Sequence, residues 1–280
     1  MNRPHPLHPT RRQALQTLAA LPGLAVVGAA RAAPGGLPTA AHHDSSPEWD
    51  RLRERLFGGR PIAADGSVVQ LSAPLRAAYG ASVPVKIVSR VGQSAANPVR
   101  RLTLLVDKNP SPVALSLALT PAVGQADFEV RLRVDEYSHV RVVSELADGT
   151  LHTDSRYVKT SGGCSAPPNR EALHLIGRTV FKLQAPVRFG ETNSAEVTVV
   201  HPNDTGFELN QTSLMYIPAH FVRTLNVSYA GAAVFEADMD FSVSENPTLR
   251  FNFVPPGPGE LRAEVVDSRD ARYAGVLQLG

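Results

Sequence analysis

Cysteine is what this chain has least of among residues that carry chemistry: of 280 residues one is cysteine, Cys164. A lone thiol excludes an internal disulfide, a Cys-X-X-Cys redox pair and a cysteine-rich zinc site. Long apolar runs are missing too. The longest, Ala14 to Val27, is interrupted by Pro22 and falls short of the roughly 20 residues that a membrane span needs. Beyond residue 32 there is no lysine and arginine cluster, so nucleic-acid or membrane-surface binding has no footing. No cofactor motif and no acid/base pair is visible. His139, His152, His174, His201 and His220 each sit singly in or beside a strand, which predicts neither a catalytic nor a metal site. His42-His43 lacks further ligands nearby, and Asp107, Asp238 and Asp240 read as turn and edge residues.

What is present begins with charge. Residues 1–32 hold Arg3, Arg11, Arg12 and Arg31 and no acidic residue. The Arg11-Arg12 pair, the apolar run and the small residues Gly28-Ala29-Ala30-Arg31-Ala32 follow the plan of a twin-arginine export signal, cleaved after Ala32 or Ala33. Removing these arginines takes the formal net charge from +2 to −2. The expected location is therefore the periplasm, with a flexible leader over 33–46 ahead of the folded body.

Proline (23) and glycine (21) are plentiful and valine recurs in short runs, which favours strands and turns over helices. One short amphipathic helix is predicted. Ser46-Pro47 supplies a cap and first turn, Trp49, Leu52, Leu56 and Phe57 share a stripe, and Gly58-Gly59 ends it. After Gly66 the apolar period becomes two, at 83–88, 101–106, 128–134 and 139–146, and Asp148-Gly149 turns into a strand over 151–160. The pattern breaks at 161–178, resumes at 179–183, and continues through 196–200, 222–229, 234–239, 249–254, 261–267 and 275–279. The reading is all-β: a sandwich domain over 47–160, a Gly/Pro-rich arm and linker over 161–178, and a second sandwich over 179–280.

Cys164 lies on that arm, after Gly162-Gly163 and before Ser165-Ala166-Pro167-Pro168. Glycines give backbone freedom and the neighbours are small, so the expectation is an exposed, mobile thiol suited to carrying a covalent adduct. Burial as a small hydrophobe and an intermolecular disulfide are the other fates open to it.

Several segments together resemble a known family. Val-Pro-Val at 83–85, Leu-Leu-Val-Asp-Lys-Asn-Pro-Ser-Pro at 104–112, Val-Asp-Glu-Tyr-Ser-His-Val-Arg at 134–141 and Ser-Gly-Gly-Cys at 161–164 resemble SoxY, the sulfur-carrying subunit of bacterial thiosulfate oxidation. Val-Val-His-Pro-Asn at 199–203, Ile-Pro-Ala-His-Phe-Val at 217–222 and Val-Ser-Glu-Asn-Pro at 243–247 resemble its partner SoxZ. The fused order is similar to the quinoprotein dehydrogenase-associated SoxYZ-like carriers. The resemblance implies an immunoglobulin-like sandwich in each half and a non-enzymatic carrier without a cofactor. It implies a sulfur adduct on Cys164, arm flexibility from Gly162 and Gly163, and periplasmic redox enzymes as partners. The SoxY tail reads Gly-Gly-Cys-Gly-Gly. Here Ser165-Ala166 replace its last two glycines, and the arm is internal. A second reading is a binding or assembly partner of a quinoprotein dehydrogenase or its cytochrome, with the cysteine incidental.

Overall fold

The structure, a computed structural model, describes residues 46–171 and 173–280. The export signal expected over 1–32 and the leader as far as residue 45 lie outside the described residues. Helix α1 spans Pro47–Phe57. Ser46 Oγ accepts the Trp49 amide at 3.0 Å, and Gly58, at φ 59°, closes the last turn by donating to Glu54 O at 2.9 Å. Trp49 and Leu52 are buried against Leu105, Val143 and Leu151 with Phe57 packed beside them, whereas Leu56 of the predicted stripe is exposed. The Arg141 guanidinium sits 4.1 Å above the Trp49 ring and donates to Asp107 Oδ2 at 2.8 Å, which sets an aromatic face and a carboxylate against that buried cation.

The strands are β1 (Ile62–Ala63), β2 (Val69–Ser72), β3 (Val83–Gly92), β4 (Val99–Val106), β5 (Val113–Leu119), β6 (Gln125–Leu132), β7 (Ser138–Leu146) and β8 (Leu151–Val158) in the first half. The second half supplies β9 (Thr179–Leu183), β10 (Asn193–Val199), β11 (Val222–Tyr229), β12 (Ala232–Met239), β13 (Thr248–Phe253), β14 (Gly259–Asp267) and β15 (Arg272–Leu279). Each predicted alternating run is a strand. Three strands do not stand out in the sequence: β1, β2 and β5.

The fold is all-β, and its two halves do more than follow one another. They share both sheets. One is nine-stranded, in the order β1-β8-β7-β4-β5-β12-β11-β14-β15, and the other six-stranded, β2-β3-β6-β13-β10-β9. The halves meet where β5 pairs antiparallel with β12, from Leu115↔Met239 to Leu119↔Phe235. Across the other layer β6 meets β13 at Glu129↔Arg250, whose side chains also pair. Between the layers runs one continuous core. Phe128 of the first half packs edge-on to Phe235 of the second, centroids 5.5 Å apart, and Phe235 packs on Phe251 at 5.0 Å.

A core shared in this way makes the halves one cooperative unit. Phe235→Ala is expected to cost about 3–5 kcal/mol and to lower the stability of both halves together. Calorimetry and urea unfolding should show a single transition that shifts as a whole. Two separable transitions, with only the later half displaced, would show that the junction carries little.

Candidate functional site

Beyond Leu132 the junction continues as irregular backbone. Arg133 N donates to Ser242 O at 2.8 Å, and Ser244 N to Arg131 O at 3.0 Å. This carries Arg133 to the seam between the halves, where its side chain is wholly buried. The segment bearing Cys164 lies across the same seam. Gly162 N donates to Asp135 O at 2.8 Å, Gly163 N to Val134 O at 3.2 Å and Cys164 N to Asp135 Oδ1 at 3.0 Å. From the other side, Thr205 Oγ1 donates to Cys164 O at 2.6 Å. Arg133 Nη1 donates to Gly163 O at 2.9 Å and Ala166 O at 3.1 Å, while Nη2 reaches Asn203 O at 3.3 Å. Glu208, also buried, stands 3.9 Å from Arg133 Nη2 and accepts the Thr205 and Gly206 amides.

Cys164 is consequently 1% exposed, although Gly162 and Ser165 on either side of it are open to solvent. The expectation of an exposed, mobile thiol is corrected here. The glycines also act differently from the expected flexibility. Gly163 is packed so closely that a Cβ would lie 2.5 Å from both Gly80 O and Val134 O, and Gly162, at φ 71°, makes the left-handed turn into the cysteine. Both are needed because the backbone is held close to its neighbours. Arg170, six residues beyond the cysteine, is paired with Asp204 at 2.5 Å. The base that bears on the thiol is Arg133.

Burial pushes the thiol up to about 12, reinforced by the charges of Asp135, Glu208 and Asp240 and opposed by Arg133. In this closed arrangement the sulfur is a neutral thiol, hence a poor nucleophile. Chemistry at Cys164 requires the segment to lift, breaking hydrogen bonds worth about 1 kcal/mol net apiece.

The second half also gathers residues that looked solitary. His201 follows β10, His220 precedes β11 and Asp267 ends β14, yet their side chains meet in a buried cluster. His220 Nε2 lies 2.9 Å from Asp267 Oδ2 and 3.3 Å from His201 Nε2. The single-residue reading of these two histidines is thereby corrected. Spacings of 19 and 47 residues carried no sign of it, because the contact is made by sheet topology. Between His201 and β11 runs a hairpin, with Asp204 and His220 exchanging backbone hydrogen bonds at 2.8 and 2.9 Å, whose tip exposes Leu214, Met215 and Tyr216. No helix among the described residues is long and apolar enough to cross a membrane.

The closed segment makes a rate prediction. Iodoacetamide should modify Cys164 far more slowly in the native chain than in urea, and Thr205→Val should raise the native rate about fivefold to tenfold, the worth of one hydrogen bond to the arm. The buried thiol titrates above its usual 9.0, so burial favours the closed state fully below about pH 9, and that advantage is lost as pH rises through about 12. Native modification should steepen over that window, provided the fold persists by circular dichroism. Equal rates in native and unfolded chains would refute the closed arrangement.

The family model for sulfur oxidation protein SoxY matches residues 53–164, ending on the cysteine, and that for sulphur oxidation protein SoxZ matches residues 181–277. Among solved structures, the sulfur carrier protein SoxY from Chlorobium limicola f thiosulfatophilum is 25% identical over 40% of this chain and 91% of its own, with a TM-score of 0.34. A variant superoxide reductase (neelaredoxin) from Ignicoccus hospitalis is 15% identical over 40% of this chain and 87% of its own, TM-score 0.27. Fibronectin(III)-like modules of CbhA from Clostridium thermocellum are 14% identical over 75% of this chain and 93% of theirs, TM-score 0.22. A search of curated proteins finds no match. With a SoxY domain ending on the buried thiol and a SoxZ domain supplying part of its cover, the chain belongs to the fused SoxY-like/SoxZ-like carrier proteins.

Proposed function

We propose that the chain is a periplasmic, non-enzymatic carrier that holds a sulfur-containing intermediate on Cys164 and presents it to redox enzymes, in service of a quinoprotein dehydrogenase system. The observation that carries this reading is the place of the cysteine: the only thiol closes the SoxY match and is clasped by Thr205 of the SoxZ match. A clasp made of hydrogen bonds to the backbone of this segment, from Thr205 and Arg133 among others, can release and re-form without altering either half of the sandwich. Joining a thiosulfate anion to the thiol through an S–S bond releases one proton and two electrons, so loading needs an electron-accepting partner. Redox enzymes supply that acceptor, and the carrier supplies reach and protection.

One observation favours a second reading. The thiol is buried and neutral while Leu214, Met215 and Tyr216 project from the hairpin, which suits a binding or assembly partner of a quinoprotein dehydrogenase or its cytochrome better than a freely loading arm.

Intact mass of the chain isolated from its native host, with and without reductant, separates the two. A carrier shows a reductant-labile mass increase mapping to Cys164, and Cys164→Ser keeps the fold while losing the adduct and the host's sulfur-dependent activity. A bare thiol under every growth condition, together with full activity of Cys164→Ser, would overturn the carrier reading and leave the binding role.

A further inference from the structure

The buried cluster at His201, His220 and Asp267 is not explained by carrying sulfur. The Asn203 amide donates to His201 Nδ1 at 3.1 Å, so a neutral His201 ring holds its proton on Nε2. His220 Nε2 is 2.9 Å from Asp267 Oδ2, an oxygen that also accepts from Tyr273 Oη at 2.9 Å. That contact demands a proton on His220 Nε2 as well. The two Nε2–H groups then lie 3.3 Å apart and converge on one acceptor, Asp267 Oδ2, at 2.9 and 3.7 Å. If His220 holds its proton on Nδ1 instead, its Nε2 lone pair faces a carboxylate lone pair at 2.9 Å. Without an ion, one carboxylate oxygen serves both rings, the farther at 3.7 Å, so the three atoms are unequally satisfied.

A cation satisfies them. The three donor atoms form a triangle with edges of 3.3, 2.9 and 3.7 Å. Ligands about 2.0–2.1 Å from a tetrahedral zinc ion lie about 3.3–3.4 Å from one another. Two imidazoles and one carboxylate are a donor set suited to zinc, with a fourth position left over. The carboxylate is pre-aimed: Oδ1 accepts the Arg269 and Ala271 amides at 2.8 and 3.0 Å, and Tyr273 Oη donates to Oδ2 at 2.9 Å. A pocket of about 50 Å³ borders the cluster at His201.

We propose that His201 Nε2, His220 Nε2 and Asp267 Oδ2 bind one divalent zinc-type ion, which staples the base of the 204–220 hairpin to the end of β14. One existing bond opposes it. With Nε2 on the ion, the His201 proton moves to Nδ1, and the Asn203 amide must turn away from the ring. Asn203 leads directly to Thr205, so the ion acts on the stretch of backbone that covers Cys164 without touching the thiol.

The test uses the full chain without an affinity tag, beside a His42→Ala/His43→Ala variant that removes the leader pair. Titrated with Co²⁺, both should take up one equivalent with the visible absorption of a tetrahedral site, and Zn²⁺ should displace it. Zinc should raise the melting temperature of both, and chelation should reverse the rise. Asp267→Asn and His220→Gln should lose at least about a hundredfold in Co²⁺ affinity. Should those variants fail to fold, the spectrum and the zinc-dependent melting shift of the unaltered core decide alone. A featureless cobalt titration with no zinc effect on melting would overturn the proposal and leave the cluster a hydrogen-bonded clasp. Binding that disappears with His42 and His43 would overturn it too.

Discussion

The pairing of β5 with β12 fixes where everything else can stand. It aligns Leu115 with Met239 and Leu119 with Phe235, and so sets the second half against the first to within one residue of register. A slip by one would turn Leu115 and Leu117 away from the core and break the Phe128–Phe235–Phe251 stack. The same alignment brings Ser242 opposite Arg133 and lets Thr205 reach the Cys164 carbonyl. The cover over the thiol is therefore a result of strand register some distance away. Neither half holds the thiol closed by itself.

Burial and carboxylates outweigh one cation at the cysteine. Arg133 is buried, its Nη groups donate to carbonyls of Gly163, Ala166 and Asn203, and its charge faces Glu208. It favours a thiolate, but burial and Asp135 prevail, and Glu208 and Asp240 add to them. The arginine acts chiefly as a bracket for the backbone on either side of the cysteine. A buried guanidinium with several carbonyl acceptors holds shape well, because loss of any one leaves an unpaired donor in a dry place.

Much of the fold was legible because alternation has a local cause: each strand covers a core with one face only. Ser46, Trp49 and Gly58 announced the helix through capping and spacing that tertiary structure did not override. Strand β5 was harder. Val113-Ala-Leu-Ser-Leu-Ala-Leu119 has small residues on its second face and neighbours on both edges, so no charged residue marks the alternation. With that strand unmarked, the seam that joins the two sandwich halves was not legible. At the site, the sequence singled out Cys164 but not its burial. The groups that bury it, Gly80, Val134, Asp135 and Thr205, lie 84, 30, 29 and 41 positions away, and only topology brings them there. The histidine cluster was hidden for the same reason.

An uncharged, proline-free strand set in the middle of a sheet has a meaning for the chain before it is complete. Until residues 232–239 are made, β5 is an open edge, seven residues long and without a lysine, a proline or any charge to deter another copy. The contact that covers it joins positions more than 110 apart, which places it among the slow events of folding. The first half on its own is thus a sticky intermediate, whereas in the fused chain the capping strand always arrives on the same molecule. Fusion of the two halves acts here as a safeguard against self-association, independent of anything the mature protein carries.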